Sequence, residues 1–129
     1  MKITDDNTSW RNLKYSQKFE NAWRGIFIFI KTTRHIFFYA VSIIVVLSLG
    51  LYFSISISEW ISIVLAIALV IISEILNTAI EIDIDLTSPE YHPYARDTKD
   101  VAAGAVLAAA LFALIIGLLV FVPKIVAVL

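Results

Sequence analysis

The sequence predicts an all-α membrane protein: an N-terminal amphipathic surface helix followed by three transmembrane helices. Three observations lead there. Of the 129 residues, 60% are hydrophobic and only 16% charged, whereas a soluble domain carries about 25% charged residues. A chain this short cannot hide so much apolar surface in a water-soluble core, so lipid must cover the remainder. Three long runs are nearly free of charge, and most basic residues precede the first of them.

The elements follow in order. Residues 1–15 form a polar tail, and residues 16–124 form one membrane domain. Met1 to Asn12 are polar and acidic, the wrong character for a cleavable signal peptide. Over residues 16–34, Phe19, Trp23, Ile26 and Ile30 recur at helical spacing on one face, with Lys18, Asn21 and Arg24 away from it. That pattern fits a helix lying in the headgroup plane. A first span covers about 36–53, without a charge, and meets the length needed to cross a bilayer. Ser54 to Glu59 alternate in polarity as a strand does. Six residues between two apolar runs are better read as a loop or helix end. A second span covers about 60–82, with Trp60 as an interfacial anchor. Ser88-Pro89 and Pro93 interrupt the pattern. A third span covers about 99–122, closed by Pro123 and Lys124, and 125–129 form a C-terminal tail. Gly104 and Ala108 make a small-xxx-small pair that lets helices approach closely.

Lysine and arginine set the orientation. Seven of the ten (Lys2, Arg11, Lys14, Lys18, Arg24, Lys31 and Arg34) precede the first span, and the 54–59 turn has none. The positive-inside rule puts the N-terminus and the 83–100 loop in the cytoplasm, with the turn and the C-terminus outside. The expected location is the inner (cytoplasmic) membrane of a bacterium. With no cysteine, disulfides and thiolate metal sites are excluded. A net charge of −1 gives no reason to expect a nucleic-acid partner.

Function is to be sought in a polar stripe on the second span. Glu74, Asn77, Glu81 and Asp85 stand at i, i+3, i+7 and i+11, within an arc of roughly 80°. Thr78 sits beside them and Asp83 points to the opposite side. Glu74 and Asn77 lie inside the apolar run, where an acidic residue costs about 2.5–3.5 kcal/mol on insertion scales. Two carboxylates and an amide at a membrane–water boundary suit two tasks. They can hold a hard divalent cation such as Mg²⁺, or take a proton from a hydroxyl arriving from the lipid side. Asp85 reads equally well as part of that site or as the solvated end of the span.

The following loop, Ser88 to Asp100, is the densest polar stretch near the membrane. Lys99 at the start of span three reads as a phosphate partner beside backbone amides or as a snorkelling anchor. His92, between prolines, reads as a nucleotide contact or as a loop residue. Gly25, Gly50, Gly104 and Gly117 are far apart, so any nucleotide is bound without a P-loop. An ion-conducting or proton-relay oligomer is a further reading of the same stripe.

The stretch Glu74-Ile-Leu-Asn-Thr-Ala-Ile-Glu81, then Asp85 and Pro89-Glu-Tyr-His-Pro93, closely resembles the signature of the prokaryotic diacylglycerol kinase family. Lys99-Asp-Val-Ala-Ala-Gly-Ala-Val106 is similar to its third-helix motif, and Ala22-Trp23 with Gly25 to its surface-helix segment. The resemblance covers roughly residues 14–124, and the His-Pro spelling looks more like the undecaprenol kinase branch. It implies a homotrimer that moves the γ-phosphate of ATP, with Mg²⁺, to the hydroxyl of undecaprenol or diacylglycerol. It implies Glu74 as catalytic base, supported by Asn77 and Asp85, and Glu81 as metal ligand. It implies nucleotide contacts from Lys14, Glu81, Glu90, His92, Lys99 and Asp100. The sequence departs from the family's pattern where a second metal-binding glutamate is usual: Thr33 stands there, with Phe37 and Tyr39 at the basic and histidine positions beyond. A threonine hydroxyl is a far weaker magnesium ligand than a carboxylate. The resemblance therefore leaves open a kinase-derived membrane scaffold with impaired catalysis.

Overall fold

The structure, a computed structural model, describes residues 15–129. Lys14 and nearly all of the expected polar tail lie outside the described residues. Those described form four α-helices: α1 (Tyr15–Thr32), α2 (Ile36–Tyr52), α3 (Ile57–Thr87) and α4 (Pro93–Val128). No strand occurs among them. The chain divides into two units, residues 1–32 and Thr33–Leu129.

Within the first unit, α1 stacks its aromatic residues along its own length. Phe19 and Trp23, one turn apart, meet edge to face with ring centroids 6.1 Å apart. The Lys31 Nζ lies over the Phe27 ring, 4.5 Å from its centroid, a cation–π contact.

In the second unit, α3 and α4 are each long and apolar enough to cross a membrane, and a third span is counted only if α2 is taken together with α1. At 17 residues, α2 sits at the lower end of the roughly 17–25 residues a span needs. Large apolar side chains face outward, with Phe37 78% and Leu119 71% exposed, as a lipid-facing surface requires.

The turn between α2 and α3 is built by helix-end chemistry, so the alternating Ser54–Glu59 segment is no strand. Ser54 takes a left-handed φ of 49°. Its N–H reaches Leu51 O (3.2 Å), and the Ile55 N–H reaches Gly50 O (3.1 Å). That pair of bonds is a Schellman C-cap. Ile55 then folds back into the core with Ile63, Val120 and Phe121, against Leu49, Phe53 and Trp60. Ser56 caps α3 by accepting from the Glu59 N–H, while the Glu59 carboxylate accepts from the Ser56 N–H at 2.7 Å, a capping box. Glu59 also pairs with Lys124 at 3.1 Å, tying the start of α3 to the far end of α4.

Gly50 is required by a close approach. A Cβ there would stand 2.6 Å from Cη2 of Trp60 and 3.2 Å from Cδ1 of Ile55. The indole cannot flex away, and overpacking of this kind costs about 1–3 kcal/mol. Gly50→Ala is therefore expected to lower the melting temperature in detergent, despite alanine's better helix propensity. An unchanged or higher melting temperature would show that the turn can open.

Both long helices run past the expected spans. α3 continues beyond 82 to Thr87, because the polar residues from Glu81 onward end the apolar surface without ending the helix. The stop comes at Ser88-Pro89, since a residue before proline avoids the α conformation. α4 begins at Pro93 rather than near Lys99, with His92 as N-cap and Pro93 at the first helical position, where the missing N–H is no loss. At the other end, Pro123 and Lys124 do not close the helix, which continues to Val128 through the expected C-terminal tail. Proline removes one backbone bond, a loss that transmembrane helices tolerate when neighbours compensate, and Lys124 is held by Glu59.

Candidate functional site

Ion pairs at both ends hold α3 and α4 antiparallel: Glu59 with Lys124, and Asp85 with Lys99 at 2.5 Å. Between them the helices pack through small side chains, with Ala66, Thr78, Ala102 and Ala109 all buried. This packing sets the last three turns of α3 beside the first turns of α4. The polar stripe and the Lys99-Asp100 pair thus share one end of the helix pair.

Glu74 is half-buried, and its Oε1 accepts a hydrogen bond from the Tyr39 hydroxyl of α2. One turn on, Asn77 donates from Nδ2 to Oε1 of Glu81 at 3.0 Å. The Asn77 Oδ1 is buried with no hydrogen-bond partner, an uncommon state for a buried acceptor. Asp85 is exposed and pairs with Lys99 across the helix pair.

The remaining expected residues are placed but not all gathered. Asp100 is exposed, with Arg96 Nε 4.0 Å away, while Arg96 also pairs with Asp97 at 2.9 Å. Nδ1 of His92 accepts from the Tyr94 N–H at 3.3 Å, so the histidine caps α4. Glu90 is exposed in the connection between α3 and α4. A cavity of about 510 Å³ lies between these helices, lined by Asn77 and Ile80 on one side and Tyr94, Asp97, Thr98 and Ala105 on the other. The sequence reading did not single out Tyr94, Asp97 and Thr98. Their i, i+3, i+4 spacing, inside a stretch recognised as polar, was the available signal. Tyr39 was noticed only as a departure from the family's pattern, and no local spacing links it to a residue 35 positions away.

No group of three or more His, Asp or Glu side chains able to hold a metal occurs among the described residues. The donors present still fit Mg²⁺ of the kind that arrives with phosphates. Such an ion takes one or two carboxylates and fills its other positions with water and phosphate oxygens. Glu81 supplies an exposed carboxylate whose Oε1 accepts from the Asn77 amide nitrogen. The Thr33 hydroxyl oxygen is buried and likewise has no hydrogen-bond partner.

The described residues thus form a helical protein with candidate membrane spans and with carboxylates, an amide and a lysine toward one end of α3 and α4. Residues 20–121 match the family described as prokaryotic diacylglycerol kinase. The chain is 42% identical to an undecaprenol kinase of Bacillus subtilis over 111 residues, 86% of this chain and 90% of that one. It is 38% identical to a diacylglycerol kinase of Synechocystis over 109 residues, 81% of this chain and 61% of that longer protein. A diacylglycerol kinase of Helicobacter pylori is 37% identical over 54 residues, 42% of each chain. The chain belongs to the prokaryotic diacylglycerol kinase family, and its class of activity is that of a lipid kinase.

Proposed function

We propose that the protein transfers the γ-phosphate of ATP to the hydroxyl of a membrane lipid, undecaprenol or diacylglycerol, at the cytoplasmic interface. The observation that carries this reading is the joining of the acidic end of α3 to Lys99 of α4. It sets an ammonium able to meet phosphate on Asp85, the last residue of the polar stripe and one helical turn beyond Glu81.

The Glu74 carboxylate takes the proton as the lipid hydroxyl oxygen attacks the γ-phosphorus. A new O–P bond forms while the bond from that phosphorus to the β,γ-bridging oxygen breaks, and ADP leaves. Such transfers depend chiefly on positioning and charge neutralisation. Lys99 exchanges Asp85 for the phosphates, and Glu90, Asp100 and Lys14 complete the nucleotide contacts. His92, with Nδ1 used in capping, offers Nε2 to the nucleotide. Glu81 would hold Mg²⁺, which when bound offsets phosphate charge. Asn77 and Asp85 support the site by orienting Glu81 and Lys99. In this reading α2, α3 and α4 are three spans, α1 lies on the membrane surface and three copies assemble. The N-terminus and the α3–α4 connection face the cytoplasm.

Thr33 favours a second reading, a kinase-derived membrane scaffold whose metal site is impaired. Radiolabelled ATP with a panel of lipid alcohols, with and without Mg²⁺, decides between them, run in parallel on Thr33→Glu. The kinase reading predicts Mg²⁺-dependent labelling of at least one alcohol by the native chain. No labelling by the native chain, together with strong labelling by Thr33→Glu, would establish the scaffold.

A further inference from the structure

Tyr39 stands on the second turn of α2, half-buried, with its hydroxyl donating to Oε1 of Glu74. Among the described residues this is the side-chain hydrogen bond that ties α2 to α3. The same side chain lines an open apolar pocket of about 150 Å³ between α2, α3 and α4, with Ile43, Val46, Ile67, Val70 and Ile71. Ser42, the other polar residue lining it, turns its hydroxyl back to Phe38 O at 2.8 Å. The phenol is thus the donor that this surrounding offers to Glu74.

We propose that Tyr39 is a positioning residue for the phosphoryl transfer, an inference that rests on the reading of Glu74 as base. A carboxylate offers two oxygens and several lone pairs. Tyr39 occupies Oε1 and thereby fixes the rotamer, so that Oε2 is presented to the lipid hydroxyl. A base must stand within hydrogen-bond reach of the proton it takes. An unanchored glutamate on a lipid-facing helix would sample orientations from which it cannot reach that proton. The phenol also keeps a donor on the carboxylate while substrate arrives through apolar surroundings, where water is scarce.

The test compares Tyr39→Phe and Tyr39→His with the native chain and with Glu74→Gln, as purified full-length protein in mixed micelles. The probes are ATP and the lipid alcohol that the native chain phosphorylates. Losing a hydrogen bond to a charged group is expected to lower kcat of Tyr39→Phe by about tenfold or more, with both KM values within about twofold because ground-state binding is untouched. Tyr39→His keeps an N–H donor and is expected to recover most of the loss. Native kcat in Tyr39→Phe while Glu74→Gln is inactive would overturn the role of Tyr39 and leave the base standing. A loss in Tyr39→Phe that follows loss of folded protein, without recovery in Tyr39→His, would also overturn it. Full activity in Glu74→Gln would remove the base, and with it this role.

Discussion

Replacing Glu74 with glutamine is expected to lower ATP-dependent lipid phosphorylation by roughly 10²–10⁴-fold, the usual contribution of a general base. The substitution is nearly isosteric, and its amide oxygen can still accept from the Tyr39 hydroxyl that now reaches Oε1. The tie between α2 and α3 is therefore retained, and the melting temperature should persist. Only the capacity to take a proton is removed. ATP binding, measured by displacement of a fluorescent nucleotide, should also be unchanged, because Glu74 makes no contact assigned to phosphate. Turnover at the native rate in this variant would take Glu74 out of the reaction.

The second large effect is expected at Glu81. Glu81→Gln keeps an acceptor for the Asn77 amide, which donates to Glu81 at 3.0 Å, so the local fold survives. A neutral amide oxygen is a poorer partner for a hard divalent cation than a carboxylate. The Mg²⁺ concentration giving half-maximal rate should rise by at least about tenfold, the smallest penalty common even for residues around a metal's direct ligands. An unchanged Mg²⁺ requirement would mean that the cation is held elsewhere.

Much of the helical order was readable from hydropathy and helix signals, but the two report different things. The apolar run on α3 ends near Ile82. The helix itself continues to Thr87, because acidic residues are tolerated in a helix outside lipid and only Ser88-Pro89 stops it. Pro123 and Lys124 together look like a terminus in sequence. In space Lys124 is anchored on Glu59 and the helix passes through. The capping box of Ser56 and Glu59 was legible in principle as S-x-x-E, but the alternating serines and isoleucines obscured it.

The candidate site divides in the same way. Residues sharing a helix face could be grouped by spacing, and the Asn77–Glu81 bond lies within that grouping. Pairings between helices could not be derived from spacing. Asp85 meets Lys99 across 14 positions and Glu74 meets Tyr39 across 35. These depend on how α2, α3 and α4 pack, which no periodicity records. His92, between two prolines, reads in sequence as a nucleotide contact or a loop residue, while in space its Nδ1 caps α4.

The central claim is that phosphate passes from ATP to a lipid hydroxyl. The most direct measurement is the ratio of labelled lipid phosphate to ADP formed by the purified chain with γ-labelled ATP, Mg²⁺ and the lipid alcohol in micelles. The account predicts one lipid phosphate for each ADP, with ADP production ceasing when the alcohol is omitted. ADP formed without labelled lipid, or no turnover with any lipid alcohol, would contradict it.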